Sequence, residues 1–231
     1  MSNLFTSSIG KKFLMSLAGL FLITFLMVHL VLNLLLILNE DQMVYNKAAH
    51  FIGNNILIKI FEVVLFGGFL LHIIYALILQ IQNWIARPKR YHKISKSETS
   101  AFSRWMIHTA VIILTFLVIH LADFYFKAKF GHAEEIVVNG IHYHDFAAMI
   151  IAKFKIPGFV IFYIGAFLLL GFHLIHGFQR AFKTLGLNNR KITPVIQILA
   201  MLYTLVVVGG YTAIPLVVYF QLFLILVSWR N

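Results

Sequence analysis

The chain has 231 residues, of which 61% are hydrophobic and 12% charged, and it contains no cysteine. Soluble domains run near half apolar and a quarter charged, so this balance describes an integral membrane protein. The missing thiols exclude disulfides, thiolate zinc sites and a ligated iron–sulfur cluster, and leave histidine, methionine or carboxylate as the ligands open to a redox metal.

Five runs are each long enough to cross a hydrocarbon core of about 30 Å, which takes about 20 helical residues. The first covers roughly 13–38. It begins like a signal peptide, but its apolar run is too long and no cleavage site closes it, so it reads as a retained span. Span II covers roughly 57–86 and ends at IARPKR; span III covers roughly 104–126. The connection over 127–156 is long, and IHYHDFAAMIIAKFKIPGF within it is expected to lie along the interface as a short amphipathic helix. Span IV (157–183) opens on Pro157 and span V (195–228) on Pro194, both acceptable first-turn positions, and Pro215 is expected to kink span V. No repeat or low-complexity tract interrupts the series. The expected fold is all-α, one membrane domain over 1–231.

The net charge of +11 is spread between the hydrophobic runs rather than gathered into one basic domain, which points to membrane orientation and away from nucleic acid. The N-terminus with the II–III and IV–V loops holds twelve of the 19 Lys/Arg and one of the eight acids; the other side balances seven against seven. The positive-inside rule then puts the N-terminus in the cytoplasm and the C-terminus outside.

Histidine is the chemically informative residue, with 11 copies. His92 falls in the inner basic loop and His132, His142 and His144 in the outer loop, where solvation accounts for them. His50 falls in the outer I–II loop, and His108 near the inner end of span III. His29, His72, His120, His173 and His176 fall inside spans, where ionisable side chains are rare and usually functional. His29 follows Lys12, and His120 follows Arg104, by 16 or 17 residues, so both sit roughly 25 Å along their helices, in the outer half. Spans II and IV run the other way. His72, ahead of the basic exit at Arg87, and His173, just before Arg180 and Lys183, belong to the inner half.

Depth therefore groups span I with III and span II with IV. One such histidine is accounted for by an interhelical hydrogen bond. Four on four helices, at two matched depths, fit two bis-histidine haems stacked along the membrane normal. Gly67 and Gly68 precede His72, and Gly165 and Gly171 precede His173, as expected where a flat ring lies against backbone or where small residues let helices pack. Arg87, Arg104, Arg180 and Lys183 are candidates to pair with haem propionates, or simply mark the interface.

MVHLVLN (27–33), YNKAAHFIGNN (45–55), LLHIIYAL (70–77), FLVIHL (116–121) and FYIGAFLLLGFHLIHG (162–177) resemble, in this order, the dihaem cytochrome b anchor of succinate:quinone oxidoreductases. In the bacterial succinate dehydrogenases and fumarate reductases of this type the membrane part is a single five-helix polypeptide. The resemblance covers residues 10 to 225, approximately. It implies two haem b groups with axial ligands at His29 and His120 (outer) and at His72 and His173 (inner). His176 is the alternative ligand in span IV, or a neighbour in the inner haem pocket. It also implies a flavoprotein subunit that oxidises succinate and an iron–sulfur subunit, both docked on the basic cytoplasmic face of a bacterial cell membrane. Electrons then pass to a quinone, menaquinone being usual for dihaem members. The complex is a candidate for higher oligomers.

A quinone site near the outer haem needs a proton carrier and a hydrogen-bond partner. Glu62, His50 and Asn33 are candidates by depth, with Glu62 alternatively an interfacial charge balanced by Lys59. Asp123 is placed either to orient an outer ligand or to cap the wet end of span III. Two rival functions stay open: a dihaem subunit of another quinone-linked oxidoreductase, such as a formate dehydrogenase or hydrogenase, and a haem-free transporter.

Overall fold

The computed structural model describes residue 5 and residues 7–86, 101–131 and 134–228, with backbone alone at 101–104 and 222–228. The expectations for Arg87, His92, His132 and the side chain of Arg104 lie outside the described residues.

Helices dominate. They are α1 (Ser8–Leu38), α2 (Gln42–Asn54), α3 (Ile56–Ile85), α4 (Ala101–His120), α5 (Phe126–Lys129), α6 (Phe146–Phe154), α7 (Pro157–Thr184) and α8 (Ile192–Ser228). A π-helical turn, Leu121–Tyr125, joins α4 to α5, closed by Phe126 N–H donating to the Leu121 carbonyl. Five segments are long and apolar enough to cross a membrane: α1, α3, Trp105–Lys129, α7 and Ile192–Gln221.

Polar residues between the runs start the helices by accepting from otherwise unpaired N–H groups. Ser7 accepts from Gly10 N–H at 3.0 Å, Asp41 from Met43 at 2.8 Å, Asn55 from Leu57 at 2.9 Å and Asp145 from Ala148 at 3.0 Å. Pro157 takes the first turn of α7, where its missing N–H costs nothing. α8 begins at Ile192, three residues earlier than expected, because Asn189 accepts from Lys191 and Ile192. Pro215 lies inside α8, which continues through it.

Two connections differ from the sequence expectation. The I–II connection carries a helix, so His50 sits on α2 rather than in a loop. Beyond α5 the III–IV connection carries a β-hairpin, with β1 (Glu135–Val138) antiparallel to β2 (Ile141–His144), and turns helical again at Phe146. The expected amphipathic helix is therefore α6 alone. The reason is local: Asn139 and Gly140 both take positive φ, 53° and 77°, the backbone that a two-residue hairpin turn requires.

The core is built by α1, α2, α6, α7 and α8, with Leu30, Tyr163 and Val207 among its most buried side chains. α8 is tied to α1 by Tyr211, whose hydroxyl donates to the Leu26 carbonyl at 2.8 Å, and by Tyr203, which donates to the Ile23 carbonyl. α3 packs on α1, α1 on α7, and α7 on α4, so the four histidine-bearing helices run in the order α3, α1, α7, α4 around the bundle. The two ends differ. One carries the described cations Lys11, Lys12, Arg180, Lys183, Arg190 and Lys191, and is called here the basic end; the other carries α2, the hairpin and α6.

Candidate functional site: two histidine pairs inside the bundle

The order of the helices makes α1 and α4 one diagonal of the bundle, and α3 and α7 the other. Each diagonal is bridged by a histidine pair. The rings of His29 and His120 have centroids 5.9 Å apart and planes at 88°. Those of His72 and His173 are 6.4 Å apart, with planes at 72°. The first pair lies toward the hairpin end and the second toward the basic end, as their positions along the helices require.

Each member of the first pair stacks on a phenylalanine one helical turn earlier. Phe25 lies 5.3 Å from His29 at 23°, and Phe116 lies 5.6 Å from His120 at 21°. Residues four apart share a helix face, so these rings limit the rotamers open to the two imidazoles. The sequence carries the signal twice, as FLMVH and FLVIH, an aromatic four residues ahead of each histidine. Tyr211 also went unrecognised; its ring lies 6.1 Å from His29. The His72 ring lies against α1 at Gly19, where an added Cβ would meet Cε1 at 3.4 Å, ordinary contact distance.

The donor set fits a haem. Two nitrogens about 2 Å from one metal, on opposite sides of it, put their ring centroids roughly 6 Å apart. Both observed separations are of that size. Among the described residues no group of three or more His, Cys, Asp or Glu side chains is arranged to hold a metal ion. A porphyrin supplies four ligands of its own and asks for two. The Nδ1 atoms of His120 and His173 are buried without a hydrogen-bond partner.

The glycines divide. Nothing lies within 4 Å of a Cβ added at Gly67 or Gly165. Gly68 instead admits Phe21 of α1, and Gly171 admits Val208 of α8, each at 3.0 Å from an added Cβ. At these two positions the missing side chain lets a neighbouring helix approach, the helix-packing alternative of the sequence reading. His176 is partly buried one turn beyond His173, and Arg180 is exposed. His108 is exposed beside Trp105.

The three quinone-site candidates take three separate sets of partners. Glu62 accepts from the Tyr125 hydroxyl, and from Lys129 Nζ at 3.1 Å. It thus joins α3 to the far end of the α4 segment, and its hydrogen-bonding cation is Lys129 rather than Lys59. Phe66 packs on the same tyrosine at 5.2 Å. Asn33 donates to the His29 carbonyl at 2.8 Å and accepts from Tyr45 at 3.4 Å. His50 packs on Tyr143 of the hairpin at 4.8 Å and bonds Asn54. Burial raises the pKa of the Tyr45 phenol above its ordinary range, so it stays a hydrogen-bond donor. Asp123, on the π-helical turn, accepts from Lys153 Nζ of α6 at 2.7 Å. His142 and His144 both face Glu135, at 3.1 and 3.8 Å.

No family model, curated protein or solved structure matches the chain.

Proposed function

We propose that this chain is the dihaem cytochrome b membrane anchor of a succinate:quinone oxidoreductase, of the single-polypeptide five-helix type. The observation that carries the reading is the bridging of both bundle diagonals by histidine pairs, with centroids 5.9 and 6.4 Å apart. His29 and His120 would hold the haem nearer the hairpin end; His72 and His173 would hold the one nearer the basic end. His176 would line the pocket of the second haem or stand as the alternative ligand, and Arg104 and Arg180 are the candidates to pair with its propionates. Bound there, haem b supplies a one-electron carrier at each of two depths.

The residues around the pairs have assignable work. Phe25 and Phe116 fix the two imidazoles of the hairpin-end pair. Glu62, which accepts from Tyr125 and Lys129 at Oε1, is the first candidate to hold or move a proton beside a quinone. His50 and Asn33 are secondary candidates, since both are engaged in bonds within α2 and α1. In this reading the basic end faces the cytoplasm of a bacterial cell, N-terminus in and C-terminus out. Twelve of 19 Lys/Arg lie on that side, a surface suited to docking an iron–sulfur subunit and, through it, the flavoprotein that carries the succinate site. Menaquinone is the quinone proposed, and lipid surrounds the rest.

The test is a reduced-minus-oxidised visible spectrum of the purified complex, with haem per chain by pyridine haemochrome, before and after succinate. Two low-spin haem b groups per chain that succinate reduces are expected. Two haems that succinate leaves oxidised would favour another quinone-linked oxidoreductase. A folded chain supplied with haem that binds none would return the transporter reading.

A further inference from the structure

Three polar atoms beside the α4–α7 contact are buried without a hydrogen-bond partner: His120 Nδ1, Asp123 Oδ2 and the Tyr163 hydroxyl. They belong to one neighbourhood. The His120 and Tyr163 rings lie 6.3 Å apart, and Asp123 follows His120 by three residues on the same helical segment, a spacing that puts side chains on one face. Tyr163 is only 2% exposed, and is walled by Phe116, Phe154 and Phe167. Buried polar groups are almost always paired, and an internal water with two to four polar partners is the usual way to pair them where side chains do not meet directly.

Asp123 is held in place from the other side. Its Oδ1 accepts from Lys153 at 2.7 Å, both side chains are 16% exposed, and the Lys153 ammonium also sits 4.0 Å from the centre of the Phe159 ring. The backbone contributes as well. The π-helical turn Leu121–Tyr125 begins directly after His120, and such turns are frequent at functional sites.

We propose that His120 Nδ1, Asp123 Oδ2 and the Tyr163 hydroxyl share one buried water, making Asp123 and Tyr163 positioning residues for the His120 imidazole. Rings that ligate a metal generally donate their second N–H to a carboxylate, carbonyl or water, which fixes the tautomer and raises ligand basicity. Here the donor is Nδ1–H, which leaves the Nε2 lone pair for ligation. Lys153 occupies one carboxylate oxygen, so the other is kept for this site. The inference rests on the haem reading of His120.

Tyr163→Phe removes one hydroxyl and no charge, and so separates a hydrogen-bonded site from a plain charge effect. In the assembled complex, the midpoint potential of each haem and the g values of its oxidised form are measured for wild type, Tyr163→Phe, Asp123→Asn and the double variant. The expected result is an upward shift at the hairpin-end haem in both single variants, with altered g values and no change at the other haem. The double variant should shift no further than Asp123→Asn alone, because groups acting through one site are not additive. Unchanged values in Tyr163→Phe, or fully additive shifts, would overturn the proposal. If Asp123→Asn does not assemble, Tyr163→Phe decides alone. Wild-type complex lacking haem would sink the haem reading itself, an outcome distinct from two haems of unmoved potential.

Discussion

At the residue scale, close approaches decide which small side chains are replaceable. A Cβ added at Gly210 would come within 2.9 Å of both Leu30 methyls, and Leu30 is 2% exposed, so its methyls have only packed core to move into. Gly210→Ala should therefore destabilise by about 1–3 kcal/mol, the usual cost of overpacking. Gly209→Ala is the control, since nothing lies within 4 Å of its added Cβ. The thermal midpoint in detergent should fall for the first and hold or rise for the second; equal midpoints would contradict the packing account. The histidine positions were legible in the sequence because depth along a span follows from counting residues at a fixed rise. The partner of Glu62 was not. Tyr125 is 63 residues away, and reaches it from a π-helical turn that no apolar period announces.

At the element scale, the hairpin end is assembled by one asparagine. Asn46, 1% exposed on α2, donates to Asp145 at 2.9 Å and accepts from the Ala147 N–H at 3.0 Å, joining α2 to the start of α6. Asn46→Ala strands a buried N–H, which costs about 1–3 kcal/mol. Amide hydrogen exchange should rise in α2 and α6 while α1, α7 and α8 keep their protection; uniform exchange across the chain would show that Asn46 holds no separate unit together. The spanning helices could be read from length and apolar content. α2 could not, because QMVYNKAAHFIGN mixes polar and apolar residues and gains its order from packing on α6 and β2. The hairpin was readable in principle. VVNGIHYH holds an Asn-Gly between two short alternating runs, a hairpin signal, but the apolar AAMIIAKF that follows biased the whole stretch toward helix.

At the scale of the whole molecule, α3 and α4 are lightly buried and lean on a core made by α1, α7 and α8. The two histidine pairs bring rings together across helices that do not pack closely side by side. A metal at each crossing would thus complete the bundle as well as carry electrons, because ligation is realised only when both helices of a diagonal are in place. The central claim is that each diagonal holds one haem, and haem content of single-histidine variants tests it most directly. The account predicts two haems per chain in wild type and in His176→Ala. It predicts loss of the same spectral component in His29→Ala and His120→Ala, and of the other in His72→Ala and His173→Ala. Folded His29→Ala and His120→Ala chains that each keep both components would contradict it.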